Sequence, residues 1–163
     1  MTEQAERTEE RTESGKGVEH PEGAQSLLLE NQMCFPLYAC ARRIVSRYTP
    51  YVKALGLTYT QYIVLLVLWE MNSVSVRDLC RRLYLDSGTL TPMLKRMEEA
   101  GLLTRRRSSE DERVVIVRLT EKGAALREPA REIPVRMGEC MPLSPEEART
   151  LYGLLYRILD HLD

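Results

Sequence analysis

Between residues 74 and 118 the apolar period of this chain switches from that of a helix to that of a strand. Ser75-Val76-Arg77-Asp78 reads as a helix start, with a Ser N-cap and an acid at the third helical position. Leu79, Cys80 and Leu83 then give a short apolar face. A tight connection around Tyr84–Asp86 leads to a second start signal, Asp86-Ser87, and to a helix running to Ala100. Gly101 follows, the residue best suited to a left-handed cap. In that helix Leu90, Met93, Leu94 and Met97 fall at i, i+3, i+4 and i+7, while Thr89, Thr91, Lys95 and Arg96 occupy the other face. From Leu102 to Arg107 and from Arg113 to Leu119 the pattern is that of strands, around the polar loop Ser108-Ser109-Glu110-Asp111-Glu112. Two short helices, a tight turn and an arginine-rich hairpin predict a mainly α (α+β) fold, a winged helix-turn-helix.

The flanks are helical. Ser26 to Tyr51 reads either as a helix starting near Phe35, with Cys34 at its N-terminal edge, or as a longer helix kinked at Pro36. Thr60–Met71 is apolar almost all round and should be buried. Thr120 caps a further helix, bent near Pro129 and Pro134. Ser144-Pro145-Glu146-Glu147 opens the last one, whose stripe comprises Leu151, Leu154, Leu155, Ile158, Leu159 and Leu162. A winged helix of this size can form its own core, so the apolar faces outside it call for a partner, and a second copy is the simplest. The expected organisation is an acidic disordered tail over residues 1–25 and one domain over 26–163. Within that domain, 26–72 and 121–163 are mostly dimerisation helices and 73–120 binds DNA. With eight of the ten aromatics Tyr, the core must be built from Leu, Val, Ile, Ala and Met.

A net charge of −1 argues against nucleic acid only until it is divided. Residues 1–25 hold seven acids and three bases, and residues 74–118 hold ten bases and seven acids. The basic surplus therefore sits on the helix-turn-helix and the wing, which suits phosphate contacts. Cys34, Cys40, Cys80 and Cys140 contain no CxxC pair, and His20 and His161 lie near the chain ends, so no metal site and no cofactor is expected. No apolar run approaches the roughly 18 residues of a membrane span. The first residues carry no apolar signal region, so a cytoplasmic location is expected.

Tyr84–Gly101 (YLDSGTLTPMLKRMEEAG) and the following LLTRRRSSEDERVVIVRLTEKG resemble the MarR family of transcriptional regulators, and its organic-hydroperoxide-sensing branch in particular. Asp111-Glu112-Arg113 matches the D-x-R signature of the family's wing. Asn31-Gln32-Met33-Cys34-Phe35 and Gly56-Leu57-Thr58-Tyr59-Thr60-Gln61-Tyr62 match the same branch. The resemblance covers about residues 26–163. It implies a homodimeric repressor that leaves double-stranded, pseudo-palindromic operator DNA when Cys34 is oxidised by an organic hydroperoxide. An ordinary thiol is only a few per cent thiolate at neutral pH, and phenolic O–H donors favour the thiolate over the thiol. By resemblance, Tyr38, Tyr48 and Tyr59 take that role. Cys140 of the partner subunit is implied as the resolving thiol, placing the chain in the two-cysteine class. Cys40 and Cys80 are expected to be small packing residues.

The resemblance also divides the DNA contacts. Ser87, Thr89, Thr91, Pro92, Lys95 and Arg96 would face the major groove. Arg113, oriented by Asp111, would enter the minor groove. Arg105, Arg106 and Arg107 would contact the backbone or form a salt bridge with Asp111. Two other functions fit parts of the sequence. One is a repressor released by a small phenolic ligand without covalent chemistry. The other is a thiol peroxidase, disfavoured because no acid/base constellation accompanies the thiols.

Overall fold

The computed structural model describes residues 24–162. The tail expected over residues 1–25 therefore lies outside the described residues up to residue 23, and Ala24–Leu27 form a 3-10 turn. The chain divides into two compact units, Met1–Arg43 and Ile44–Asp163.

In the first unit, a second 3-10 turn, Leu29–Asn31, precedes the start of helix α1, Cys34–Ala54, which continues into the second unit from Ile44. Gln32 ties the turns together, its side-chain amide donating to the Ser26 and Leu28 carbonyls. Pro36 falls in the first turn of α1, where a missing N–H has no partner to lose. Of the two sequence readings, the one that starts the helix near Phe35 is the observed one.

The second unit holds the remaining elements. Helix α2, Tyr59–Met71, opens on a capping box in which the Thr58 hydroxyl accepts from the Gln61 N–H and the Gln61 side chain accepts from the Thr58 N–H. Its residues Val64, Leu65 and Leu68 are completely buried, as its all-round apolarity demands. Strand β1, Ser73–Ser75, was not expected, because two serines around one valine leave no apolar alternation. It pairs antiparallel with β3, Val115–Leu119, which also pairs with β2, Leu103–Arg107, giving the order β1-β3-β2. Helices α3, Val76–Leu83, and α4, Ser87–Glu99, lie between β1 and β2 in sequence. Three short helices follow the sheet: α5, Glu121–Ala125, α6, Arg127–Ala130, and α7, Glu132–Glu139, with Pro129 and Pro134 in the last two. Helix α8, Pro145–Leu159, starts at the capping box Ser144/Glu147.

One core unites the helix-turn-helix with α2 and the sheet. Leu79, Leu90, Leu94, Met97 and Val117 reach zero exposure, and Ile133 and Met137 of α7 join the same cluster. Helix α8 buries no residue, and Leu151, Leu154, Leu155 and Ile158 stay exposed in the protomer. No single helix among the described residues is long and apolar enough to cross a membrane.

The turn between α3 and α4 is strained at one residue. Tyr84 caps α3 at φ 52°, ψ 43°, a left-handed conformation that costs a residue with a Cβ about 1 kcal/mol. Its side chain is nearly half exposed and contributes little burial. Tyr84→Gly is therefore expected to raise the unfolding free energy by roughly 0.5–1 kcal/mol in urea titrations. A loss of similar size would show that the phenol ring, not the backbone, sets the stability of this turn.

Candidate functional site

The recognition helix is held at both ends. Asp86 caps its N-terminus, accepting from the Thr89 N–H at 2.8 Å and the Thr89 hydroxyl at 2.6 Å. These two bonds hold the Asp86 carboxyl below the usual carboxylate range. They also commit the Thr89 hydroxyl proton, so Thr89 can offer a ligand only its lone pairs. At the C-terminal end Gly101 adopts φ 73° and the Lys122 ammonium donates to the Ala100 carbonyl at 2.7 Å. Ser87, Thr89, Thr91, Pro92, Lys95 and Arg96 are all exposed.

The wing tip is built by Asp111. Its carboxylate accepts from the Arg113 N–H at 3.0 Å and its carbonyl accepts from the Val114 N–H at 2.9 Å, closing the loop. The Arg107 guanidinium donates to the Glu112 carbonyl at 2.6 Å. A groove of about 950 Å³ runs between wing and helices, and Ser87, Thr91, Asp111 and Arg113 all line it. Arg77 and Arg81 of α3 line it too, and sequence reasoning missed both.

The three consecutive wing arginines do different things. Of the two alternatives for Arg105, a DNA-backbone contact or a salt bridge with Asp111, the second is not formed, because its partner is Glu98. Its side chain meets Glu98 of α4 at 2.8 and 3.0 Å while its N–H donates to the other Glu98 oxygen at 2.7 Å. This is the least exposed ion pair among the described residues, at 23% and 34% side-chain exposure, and it fastens the wing's base to the recognition helix. Arg106 projects from the opposite face of β2, since successive side chains alternate. Only Arg107 reaches the tip.

The bonds from Arg105 hold the Glu98 carboxyl below its ordinary range. A carboxyl lowered on folding stabilises the fold above its unfolded value and stops doing so as pH falls through the folded one. The difference in urea midpoint between the unaltered protein and Glu98→Gln is therefore expected to be constant from pH 8 to about pH 5 and to shrink as pH falls through the ordinary glutamate range and below it. A difference that does not shrink at all on acidification would assign the effect to shape rather than charge.

The thiols are spread along the chain. Cys34, the first residue of α1, is free and exposed, and so are Cys40 and Cys140. The expectation that Cys40 is a packing residue fails in the protomer, because the face of α1 that carries it is uncovered. Cys80 does pack against the core. Cys140 ends α7, its N–H donating to the Met137 carbonyl at 3.2 Å. In the first unit the Tyr38 hydroxyl accepts from Arg42 at 3.4 Å, with the guanidinium 5.7 Å from its ring. In the second unit the Tyr48 and Tyr59 rings pack with centres 4.9 Å apart and planes tilted by 56°. Tyr62, 2% exposed and missed by the sequence reading, lies 6.0 Å from Tyr48 and 6.2 Å from Trp69. Burial pushes the Tyr48 and Tyr59 phenols up, so both remain O–H donors at neutral pH.

The organic hydroperoxide resistance transcriptional regulator of Bacillus subtilis (strain 168) is 50% identical to this chain over 134 residues, covering 82% of this chain and 91% of that protein. The chain belongs to the MarR family of transcriptional regulators, in its organic hydroperoxide resistance branch. The family model for transcriptional regulator SarA/Rot matches residues 46–128 of this MarR-family chain. Among solved structures, reduced AbfR of Staphylococcus epidermidis bound to DNA is 37% identical with a TM-score of 0.72, covering 87% of this chain and 99% of that one. Disulfide-formed AbfR is 36% identical with a TM-score of 0.62, covering 86% and 96%.

Proposed function

We propose that this MarR-family chain is a homodimeric repressor that holds duplex operator DNA while Cys34 is reduced and releases it when an organic hydroperoxide oxidises Cys34. The observation that carries this reading is the exposed Cys34 thiol at the first residue of α1, in a chain half identical to a hydroperoxide resistance regulator. The Cys34 thiolate attacks the peroxide O–O bond and takes one oxygen, becoming a sulfenic acid, and the organic part leaves as an alcohol. The partner's Cys140 thiol then displaces the sulfenic oxygen as water and forms an intersubunit disulfide, and Tyr38, Tyr48 and Tyr59 donate to the thiolate before oxidation. Each turn of this chemistry needs an external reductant to reset the disulfide. Ser87, Thr91, Pro92, Lys95 and Arg96 contact the major groove, with Thr89 as an acceptor only. Arg113 and Arg107 of the wing contact the minor groove or its phosphates. The helices over 26–72 and 121–163 form the dimer, whose demand for a partner is supported by the uncovered stripe of α8.

Fluorescence anisotropy on the duplex upstream of the protein's own coding region tests the reading. Cumene hydroperoxide is expected to abolish binding and dithiothreitol to restore it. Full binding after oxidation contradicts the redox switch and leaves a ligand-responsive regulator.

A further inference from the structure

We infer that Arg77, on the first helix of the helix-turn-helix, is a phosphate-positioning residue that fixes the register of this protein on DNA without reading sequence. The inference rests on the DNA-binding reading above and adds a contact from a third element, α3, to those of α4 and the wing.

Of the ten bases between residues 74 and 118, Arg81 pairs with Asp78 at 3.4 Å, Arg82 with Glu70 at 2.9 Å and Arg105 with Glu98 at 2.8 Å. Arg77 is exposed and has no ion-pair partner among the described residues. It lies in the first turn of α3, where the helix dipole already presents positive charge, so a cation there is unfavourable until an anion arrives. Its side chain lines the same groove as Ser87, Thr91 and Arg113. A backbone lying against α4 and the wing would pass α3, the helix that in this architecture crosses the phosphates. Arg118 supplies the contrast. It is also exposed and unpaired, but it lies one residue from Val117 and so projects from the sheet face opposite Val115, which lines the groove.

The test measures dissociation constants of the reduced full-length protein for its operator and for a scrambled duplex across a salt series. Arg77→Gln is expected to weaken both DNAs by a similar factor, about tenfold at low salt. It should also flatten the log K against log salt slope by about two for a dimer, one phosphate per protomer. Arg77→Lys, which keeps the point charge, should retain the slope, and Arg118→Gln should leave slope and affinity unchanged. An unchanged slope for Arg77→Gln overturns the inference while operator binding itself leaves the DNA reading intact. A loss confined to the operator also overturns it, because Arg77 would then serve base reading. A drop in Tm for Arg77→Gln overturns it as well, since an unpaired surface arginine carries no fold. Absence of any DNA binding by the unaltered protein overturns both readings.

Discussion

Gly123→Ala is expected to destabilise the protein by about 3 kcal/mol, the largest effect expected of a methyl added at any glycine among the described residues. Gly123 lies in the first turn of α5, where its N–H donates to the Thr120 hydroxyl at 3.0 Å. The Thr120 hydroxyl in turn donates to the Gly101 carbonyl at 2.7 Å, and the Trp69 indole donates to the Gly123 carbonyl at 2.9 Å. The end of the recognition helix, the end of the sheet and the buried helix α2 thus converge on one residue. A Cβ there would overlap the Leu102 carbonyl oxygen and sit 2.9 Å from the Leu119 side chain. Backbone cannot rotate away as a flexible side chain can, so α5 must shift and the Trp69 bond must lengthen. For a chain of this size the melting temperature should fall by about 6–12 °C. A calorimetric midpoint within 2 °C, roughly the experimental equivalent of no effect, would mean that α5 is not seated against Leu102 as described.

Cys34→Ser is expected to bind the operator as the unaltered protein does and to lose its response to hydroperoxide altogether. Serine replaces sulfur by oxygen at an exposed helix start, so fold and DNA affinity should change little. The hydroxyl is neither ionised at neutral pH nor a nucleophile toward a peroxide bond, so the first oxidation step has no substitute. Operator affinity measured before oxidation is expected to agree within about threefold, under 1 kcal/mol. Release by the same hydroperoxide concentration that releases the unaltered protein would remove Cys34 from the mechanism. Cys140→Ser separates the next step, since it should still be oxidised at Cys34 but form no intersubunit disulfide.

The helix-turn-helix was legible because each of its boundaries has a local chemical cause. Ser75, Asp86 and Thr120 accept from the amide three residues on, and Gly101 adopts the positive φ that ends α4. Strand β1 was not legible, because its pairing with β3 is made by backbone bonds that leave no trace in residues Ser73–Ser75. Glu98 and Arg105 were hidden for a related reason. Their pairing crosses from a helix to a strand through the intervening turn, so no single period relates the two residues, and the sequence places Arg105 with the wing. Asp78 shows how a correct motif can differ in detail. Its carboxylate accepts from the Ser75 hydroxyl at 2.6 Å rather than from the Ser75 backbone N–H. On the thiol side, the roles of Tyr48 and Tyr59 come from the resemblance; Tyr62 lies in the matched stretch Gly56–Tyr62 without an assigned role, and its place three residues after Tyr59 on the same helix face is the signal that could have found it. In the sequence Arg77 is one residue of the capping stretch Ser75–Asp78, and its place lining the groove gives it a second role.

The most direct test of the redox account measures operator occupancy and cross-linking in the same samples as organic hydroperoxide is titrated. Occupancy is expected to fall in step with the appearance of a dimer-sized band on a non-reducing gel. The band and the release should both reverse with dithiothreitol, and the band should be absent from Cys34→Ser and Cys140→Ser. Operator binding that survives quantitative oxidation of Cys34 would contradict the account.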